Sequence, residues 1–330
     1  MDEKNEEHAR IASFAAETML EFLTDLVAEF DGVRRAEDIE CVHRMRVASR
    51  RVRTALTLFG DYFPTKRVVQ WMEQIKGITK ALGAARDTDV QLEVLQGLLA
   101  EAPEKRSLPG IKRVILRLEQ RRKRLQVKLN TALDRLEERK TLPEMEGMLR
   151  QQLIHAQLQP VSGIPQQLYR RSQATLISQL EEMLGYELYI DKPERMLELH
   201  AMRIAAKHFR YSLQIYGPIY DGELKEFFTV VKKLQEILGE IHDCDVWALW
   251  LPVFVEEELK KVHEYYGHSR TFAPLRPGLT WLAADRLARR KKYHKELNIY
   301  WKELEQQQLW SKLLQVLENR VSDDAQAAII

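Results

Sequence analysis

The sequence predicts an all-α protein made of two pseudo-symmetric helical bundles in tandem. Its composition suits long helices, because 45% of the 330 residues are hydrophobic and only 14 are glycine and 11 proline. No segment shows the alternating polar and apolar pattern of a half-buried strand. A 14-residue basic stretch also occurs twice, about 157 residues apart, which indicates an internal repeat. We therefore expect a first half over residues 1–160, a second half over 161–320 and a C-terminal tail over 321–330.

The basic helix of the first half is predicted over about residues 38–59, and Gly60 supplies its C-terminal stop. Within it, residues 43–56 contain five arginines and no acid. At about 100° per residue, four side chains fall within an arc of roughly 80°, opposite an apolar face. Helix faces that are merely solvated tend to interleave opposite charges, so we interpret this one as a binding surface. We name it the first basic row, and it consists of His43, Arg46, Arg50 and Arg53.

The same pattern returns in residues 200–213. Every position of the row keeps a basic or imidazole side chain, and the apolar face is kept as well. Two copies in register favour a shared binding role over chance. We name this set the second basic row, and it consists of His200, Arg203, Lys207 and Arg210.

A second signature also occurs twice, at residues 82–90 and 238–246. It reads Leu-Gly-x-x-Arg/His-Asp-x-Asp-Val, and we expect its glycine to end one helix and its first aspartate to cap the next. The second aspartate would then fall in the first helical turn, where a carboxylate is favoured and can brace an arginine. Metal ligation is the less favoured alternative, because capping already explains the positions. The paired residues are Gly83 and Gly239 for the helix ends, Asp87 and Asp243 for the caps, and Asp89 and Asp245 for the braces.

Apolar periodicity and the placement of Gly and Pro predict the other helices. Three prolines and two glycines in residues 141–165 predict the connection between the halves. The chain after Arg320 is expected to fray. Predicted helices of the first half cover residues 6–31, ended by Asp31-Gly32, then 65–82, a helix from 87, and a strongly basic helix over 108–140. Those of the second half cover 166–184, the second basic helix, a helix ending at 239, one from 243, and a basic helix over 278–305.

The charges are segregated along the chain although the formal net charge is only +2. Residues 1–40 hold twelve acids against four Lys or Arg, whereas residues 105–128 hold ten Lys or Arg against one acid. The net charge alone therefore suggests no polyanion partner, but segregation of this kind is an electrostatic footprint even when the total charge nearly cancels. The two cysteines suggest no disulfide framework, and no run is long and apolar enough for a membrane span. We therefore expect a cytoplasmic protein that does not enter a membrane.

The two motifs together resemble the CHAD family, the conserved histidine α-helical domain. The resemblance rests on His-x-x-Arg-Val-Ala-x-Arg-Arg-x-Arg, then Leu-Gly-x-x-Arg-Asp-x-Asp-Val, with a degenerate second copy, and it covers about residues 6–315. It implies two helical bundles whose basic faces line a central groove or pore. It also implies binding of inorganic polyphosphate without catalysis, and thus a protein that could associate with polyphosphate granules.

Carried over by position, the resemblance assigns polyphosphate contacts to both rows and to residues around them. The long basic helices add one candidate each, paired by aligning Arg117-Leu118 with Arg286-Leu287. In the second copy, His208 and His242 replace arginines of the pattern. The candidates outside the rows are Arg51, Lys76, Arg121, Lys232 and Arg290.

Physical chemistry favours the same ligand. Polyphosphate has no base to read, so charge density governs its affinity, and arginine can present two donors to one phosphate. A nucleic-acid-binding protein stays open as an alternative, although the rows lack interleaved aromatics for stacking. A metal-dependent phosphohydrolase using His242 and Asp243 also stays open, although the first half has Arg86-Asp87 at that place. We expect no cofactor, no metal and no sequence-specific nucleic acid as partner.

Overall fold

The computed structural model describes residues 3–100, 104–157 and 163–327, and these residues are almost entirely helical. No strand occurs among them, which confirms the all-α prediction. Within this part of the chain, no helix is long and apolar enough to cross a membrane. The helices in chain order are α1 (Glu3–Ala28), α2 (Phe30–Arg35), α3 (Ile39–Phe59), α4 (Thr65–Ala100), α5 (Leu108–Glu138), α6 (Thr141–Gln157), α7 (Gln166–Leu184), α8 (Met196–Tyr216), α9 (Lys225–Tyr266), α10 (Arg276–Gln306) and α11 (Leu309–Ala327).

The chain forms two compact units. Unit 1 comprises Met1–Val94 and Leu116–Leu168, and unit 2 comprises Leu95–Ile115 and Tyr169–Ile330. The predicted boundary between residues 160 and 161 lies close to the passage from Leu168 to Tyr169. Residues 95–115 were predicted to belong to the first half, but they belong to unit 2.

Two glycines explain how residues 95–115 pack within unit 2. A Cβ atom on Gly110 would lie 2.3 Å from the carbonyl oxygen of Leu275, and one on Gly278 would lie 2.0 Å from that of Ser107. Only glycine lets two backbones approach so closely. Beside this crossing, the buried carboxylate of Glu258 accepts hydrogen bonds from Arg113 at 3.1 Å and Lys261 at 3.0 Å.

The basic helices are where the sequence predicts them. In unit 1, α3 begins after Asp38, whose carboxylate accepts a hydrogen bond from the Glu40 N–H at 2.8 Å. A side-chain oxygen at this position satisfies one of the N–H groups that the first turn leaves unpaired. In unit 2, α8 has the same length of 21 residues. Both helices give way to a 3₁₀ turn at the predicted glycine, Gly60 or Gly217.

The repeated Leu-Gly signature does not break a helix, contrary to the prediction. Both α4 and α9 run straight through it, so Asp87 and Asp243 lie in helix interiors and cap nothing. A helix-interior glycine costs about 1 kcal/mol, and packing of a continuous buried face outweighs that amount. In α4 this face continues on both sides of Gly83 through Ile75, Ile78, Leu82, Ala85 and Thr88.

Three other segments differ from the prediction. The chain does not leave helical structure at Asp31-Gly32, because α2 spans it, and Gly32 instead leaves room for the Sγ of Cys41, which a Cβ would meet at 2.4 Å. Much of the predicted connection is helix α6, whose buried Leu142, Met145 and Leu149 follow helical spacing. Residues 158–162 of that connection lie outside the described residues. Helix α11 continues to Ala327, where a frayed tail was expected from residue 321.

Candidate functional site

The first basic row lies on one side of α3, and the other side of the helix is buried. Met45, Ala48 and Val52 are at most 2% exposed, whereas all four row residues are half-buried. The apolar side packs within unit 1, where α1 lies against α3. The row is therefore held at a defined place, with part of each cation accessible. The second row occupies the same side of α8, opposite the buried Met202, Ala205 and Phe209.

A glycine lies beside the second member of each row. A Cβ on Gly83 would be 3.7 Å from the Nε of Arg46, and a Cβ on Gly239 would be 3.6 Å from the Nε of Arg203. In unit 1 the Nη2 of Arg46 also approaches the Oδ1 of Asp87 at 3.4 Å. The repeated glycine therefore leaves space for an arginine along the neighbouring helix. This role could not be predicted from the sequence, because a glycine after an apolar helical stretch is also typical of a helix end.

The last member of each row is a poorly compensated cation. The Nε atoms of Arg53 and Arg210 are buried, and within the described part of the chain neither has a hydrogen-bond partner. Burial, followed by the charge of Arg50, lowers the pKa of Arg53. Neither Arg50 nor Arg53 forms an ion pair with any described residue. Arg210 lies over the ring of Tyr211, with its guanidinium carbon 4.8 Å from the ring centroid. A buried donor without a partner is costly, so an anion with several acceptor oxygens would be favoured here.

The histidine that opens the first row lies near an arginine. Burial, then the charge of Arg86, lowers the pKa of His43, and its Nδ1 is buried without a hydrogen-bond partner among the described residues. Arg86 is itself compensated, because its Nη1 lies 3.4 Å from a carboxylate oxygen of Glu40 and 3.5 Å from one of Glu93. This part of unit 1 therefore keeps a permanent cation with two acids.

The second row has two stacked imidazoles at the corresponding place. His242 takes the position of Arg86, and its ring lies on that of His200, with centroids 4.0 Å apart and planes inclined by 25°. Burial, then the charges of His200 and Arg203, lowers the pKa of His242 to about 4. Burial, then Arg203, lowers that of His200.

The acids that compensate Arg86 are also replaced in the second copy. In the register of the basic stretches Glu40 corresponds to Leu197, and in the register of the Leu-Gly signatures Glu93 corresponds to Leu249. These leucines are 82% and 68% exposed. Unit 2 therefore has a titratable ring and two apolar side chains where unit 1 has a permanent cation and two acids. The sequence contains these three differences between the halves. They could be related to one another only once the structure showed that the three positions are neighbours.

A buried ion pair joins the second aspartate of each signature to a long basic helix. The Nε of Arg122 donates to the Oδ1 of Asp89 at 2.6 Å, and the side chains are 14% and 2% exposed. Burial raises the pKa of Asp89, and Arg122 opposes that shift. In unit 2, Arg290 donates to Asp245 and to the carbonyl oxygen of Pro193, the latter at 2.7 Å. The prediction that these aspartates brace an arginine is confirmed.

The same pairs correct the alignment of the basic helices. Arg290 corresponds to Arg122 by its partner, and not to Arg121 as the sequence alignment predicted. Two of the nitrogens of Arg290 already bind Asp245 and a carbonyl oxygen, so Arg290 acts as a brace for α9. Arg121 is exposed and forms no ion pair with any described residue.

The other candidates lie at the edges of the rows. Arg51 approaches Asp25 of α1 at 3.3 Å and lies over the ring of Phe22, so α1 already engages its charge. Lys76 is exposed and forms no ion pair within the described chain, whereas Lys232 approaches Glu236 at 3.8 Å. His208 is exposed. Among the described residues, no group of three or more His, Cys, Asp or Glu side chains is arranged to hold a metal ion.

Comparisons with known proteins agree with this architecture. The family model described as CHAD domain matches residues 17–252. A crystal structure of the CHAD domain from the plant Ricinus communis is 22% identical, covers 86% of this chain and 91% of its own, and has a TM-score of 0.55. The structure of PptA from Streptomyces chartreusis is 12% identical, covers 88% of this chain and 99% of its own, and has a TM-score of 0.59. At these identities the two structures establish likeness of fold. The search of curated proteins gives no match.

Proposed function

The chain belongs to the CHAD domain family, and on that premise we propose that its two basic rows bind inorganic polyphosphate without cleaving it. The observation that supports the proposal most is the state of the last row members. The Nε of Arg53 and that of Arg210 are buried without a hydrogen-bond partner among the described residues, each on a helix whose opposite face is fixed by packing. A phosphate on the accessible part of either guanidinium would neutralise this poorly compensated charge.

The spacing of the rows favours a linear polyanion over a single phosphate. Successive members are three or four residues apart, so each row extends about 15 Å along its helix at 1.5 Å per residue. Orthophosphate would engage one or two of these side chains, whereas a chain of phosphates can engage all four. Arginine predominates in the rows, and its planar fork suits phosphate oxygens.

The proposal includes a location and a division of roles. A binding protein of this kind would act in the cytoplasm, in association with polyphosphate granules. Residues with compensated charges, namely Arg122 and Arg290, shape the fold, while the rows and the exposed Lys76 and Arg121 meet the ligand. The expectation that the two rows face one groove stays a prediction.

Calorimetry with three polyanions tests the proposal. Polyphosphate, duplex DNA and single-stranded RNA are titrated at matched phosphate concentration and fixed salt, and polyphosphate is expected to bind most tightly. Its affinity should fall steeply with salt, because each neutralised phosphate releases a condensed counterion, as it does with nucleic acids. Equal or tighter binding of DNA or RNA would favour the nucleic-acid alternative.

Row variants and a cleavage assay complete the test. Arg53→Ala and Arg210→Ala should each lower polyphosphate affinity, whereas Arg139→Ala, which removes an exposed cation outside the rows, should change it little. Polyphosphate incubated with the protein and Mg²⁺ should be recovered at its original length. If the polyphosphate becomes shorter, and His242→Gln abolishes the shortening, the protein is a phosphohydrolase and the binding proposal is wrong.

A further inference from the structure

Unit 2 contains an apolar pocket that the proposed polyphosphate site does not use. Its volume is about 590 Å³, and α9, α10 and the short segment between them form its walls. Pockets of roughly 300–1,000 Å³ with mainly apolar walls are typical of small-molecule sites. The walls include Trp247, Leu251, Phe272 and Leu279, which are at most 4% exposed, and Leu287, which is 55% exposed.

A proline contributes to the shape of this pocket. Pro252 lies in the interior of α9 and lines the cavity. Proline has no N–H, so one hydrogen bond of the helix is absent at this place, although α9 continues through it. Two small side chains, Ala248 and Ala283, also line the cavity.

The polar groups around the pocket are all neutral or basic. They are Thr280, Arg276 and Arg286, and no acid lines the cavity among the residues that the structure describes. Arg286 is buried and already forms an ion pair with the neighbouring Asp285. Arg276 is exposed at the edge, forms no ion pair within the described residues, and lies over Phe272 with its guanidinium carbon 5.7 Å from the ring centroid.

We propose that this pocket binds an amphipathic carboxylate, with the apolar body of the ligand between α9 and α10 and its carboxylate on Arg276. The apolar walls match a hydrocarbon chain, and burying such a chain is favourable in proportion to the area removed from water. Of the two described cations that line the pocket, Arg276 is the accessible one, and it matches a single anionic head group. A polyanion of phosphates has no apolar body to fill the cavity, so this ligand class differs from that of the basic rows.

Three twelve-carbon probes test the proposal by calorimetry below their micelle concentrations. Dodecanoate, dodecanol and dodecyltrimethylammonium share one chain and differ in head group. Dodecanoate should bind with one site per chain, dodecanol more weakly, and the cation most weakly. Equal affinity for all three, or no binding of dodecanoate, would overturn the assignment.

Matched variants locate the site. Arg276→Gln should weaken dodecanoate binding about tenfold, as expected for the loss of a charge-assisted hydrogen bond, and leave dodecanol binding unchanged. Ala283→Phe should fill the pocket and abolish binding of both, whereas Ala284→Phe, on a neighbouring and equally exposed position that does not line the pocket, should not. Thermal melting checks that each variant is folded. Unaltered binding by Ala283→Phe, or dodecanoate binding that appears only with dimerisation of the protein, would contradict the proposal.

Discussion

The ring of His242 stacks on that of His200 in unit 2, with centroids 4.0 Å apart, at the place where unit 1 has Arg86 near His43. Both rings of the stack have lowered pKa values, and burial is the main cause. The two copies of the site therefore differ in charge at neutral pH. At this place unit 2 has two imidazole rings in contact, whereas unit 1 has one imidazole and an arginine.

Acid should destabilise the protein partly through this stack. An unfolded histidine has a pKa near 6.5, whereas that of His242 is about 4 in the fold. Between these values the unfolded state binds a proton that the folded state does not, so the free energy of unfolding falls as pH drops through this window and levels off below it. Urea unfolding at pH 7, 6, 5 and 4 measures this change in the free energy of unfolding. His242→Gln should have a shallower pH dependence, and an unchanged one would show that the stack does not contribute.

Placing an arginine at position 242, as unit 1 has at position 86, should lower stability. Adding an acid beside it should recover part of the loss. His242→Arg places a permanent cation near Arg203 and His200, where the acids of unit 1 are replaced by Leu197 and Leu249. We expect a lower melting temperature. Adding Leu197→Glu should recover part of the loss, by about 0.2–1 kcal/mol for a partly exposed pair. A double variant no more stable than His242→Arg would contradict the correspondence of these positions.

Two arginines of unit 1 should respond oppositely to removal. Arg122→Ala leaves the nearly buried carboxylate of Asp89 unpaired and should cost about 3–5 kcal/mol of unfolding free energy. Arg53→Ala removes a cation with a lowered pKa and no ion pair, so stability should stay the same or rise. Urea midpoints compare the two, and calorimetry with polyphosphate should show the loss of affinity in Arg53→Ala. A marked destabilisation by Arg53→Ala would identify Arg53 as structural.

The glycine beside Arg46 should tolerate alanine but not a long side chain. A Cβ on Gly83 would be in ordinary contact with the Nε of Arg46 at 3.7 Å. Gly83→Ala should therefore stabilise α4 by up to about 1 kcal/mol, since alanine is the better helix former. Gly83→Leu should displace the guanidinium and lower polyphosphate affinity. Melting temperatures and calorimetry test both, and equal affinity in the two variants would exclude a positioning role for Gly83.

The close crossing in unit 2 should not tolerate even a methyl group. Gly110→Ala would place a Cβ 2.3 Å from the Leu275 carbonyl oxygen, so the two backbones must separate. We expect a loss of several degrees in melting temperature. Gly77→Ala is the matched control, because nothing lies within 4 Å of its Cβ, and it should be neutral or stabilising. Similar melting temperatures for the two variants would contradict the observed crossing.

The local features of this protein could be predicted from sequence because local signals determine them. Helix α3 combines an apolar face, an Asp38 cap and a terminal Gly60, and its predicted bounds are confirmed. The helix break at Gly83 was wrong because a glycine alone does not end a helix whose buried face continues past it. The local sequence does not distinguish Gly60, at which a helix ends, from Gly83, which lies inside one.

The features that the sequence could not predict depend on distant residues. Asp89 was expected to brace an arginine, but the partner could be identified as Arg122 only after α4 and α5 were placed together. The crossing of Gly110 and Gly278 joins segments far apart in the chain, and neither segment has a periodic signal for it. Non-local packing of this kind leaves no pattern in a single sequence.

The packing of residues 95–115 into unit 2 has a consequence for biosynthesis. These residues leave the ribosome before unit 1 is complete. Leu275 and Gly278, against which they pack, are synthesised much later. The surface around Ser107 and Gly110 must therefore stay open while the intervening chain is synthesised, a stage at which exposed apolar groups favour aggregation. No single cut in the chain separates the two units, so a fragment beginning at residue 169 would lack part of its own interior.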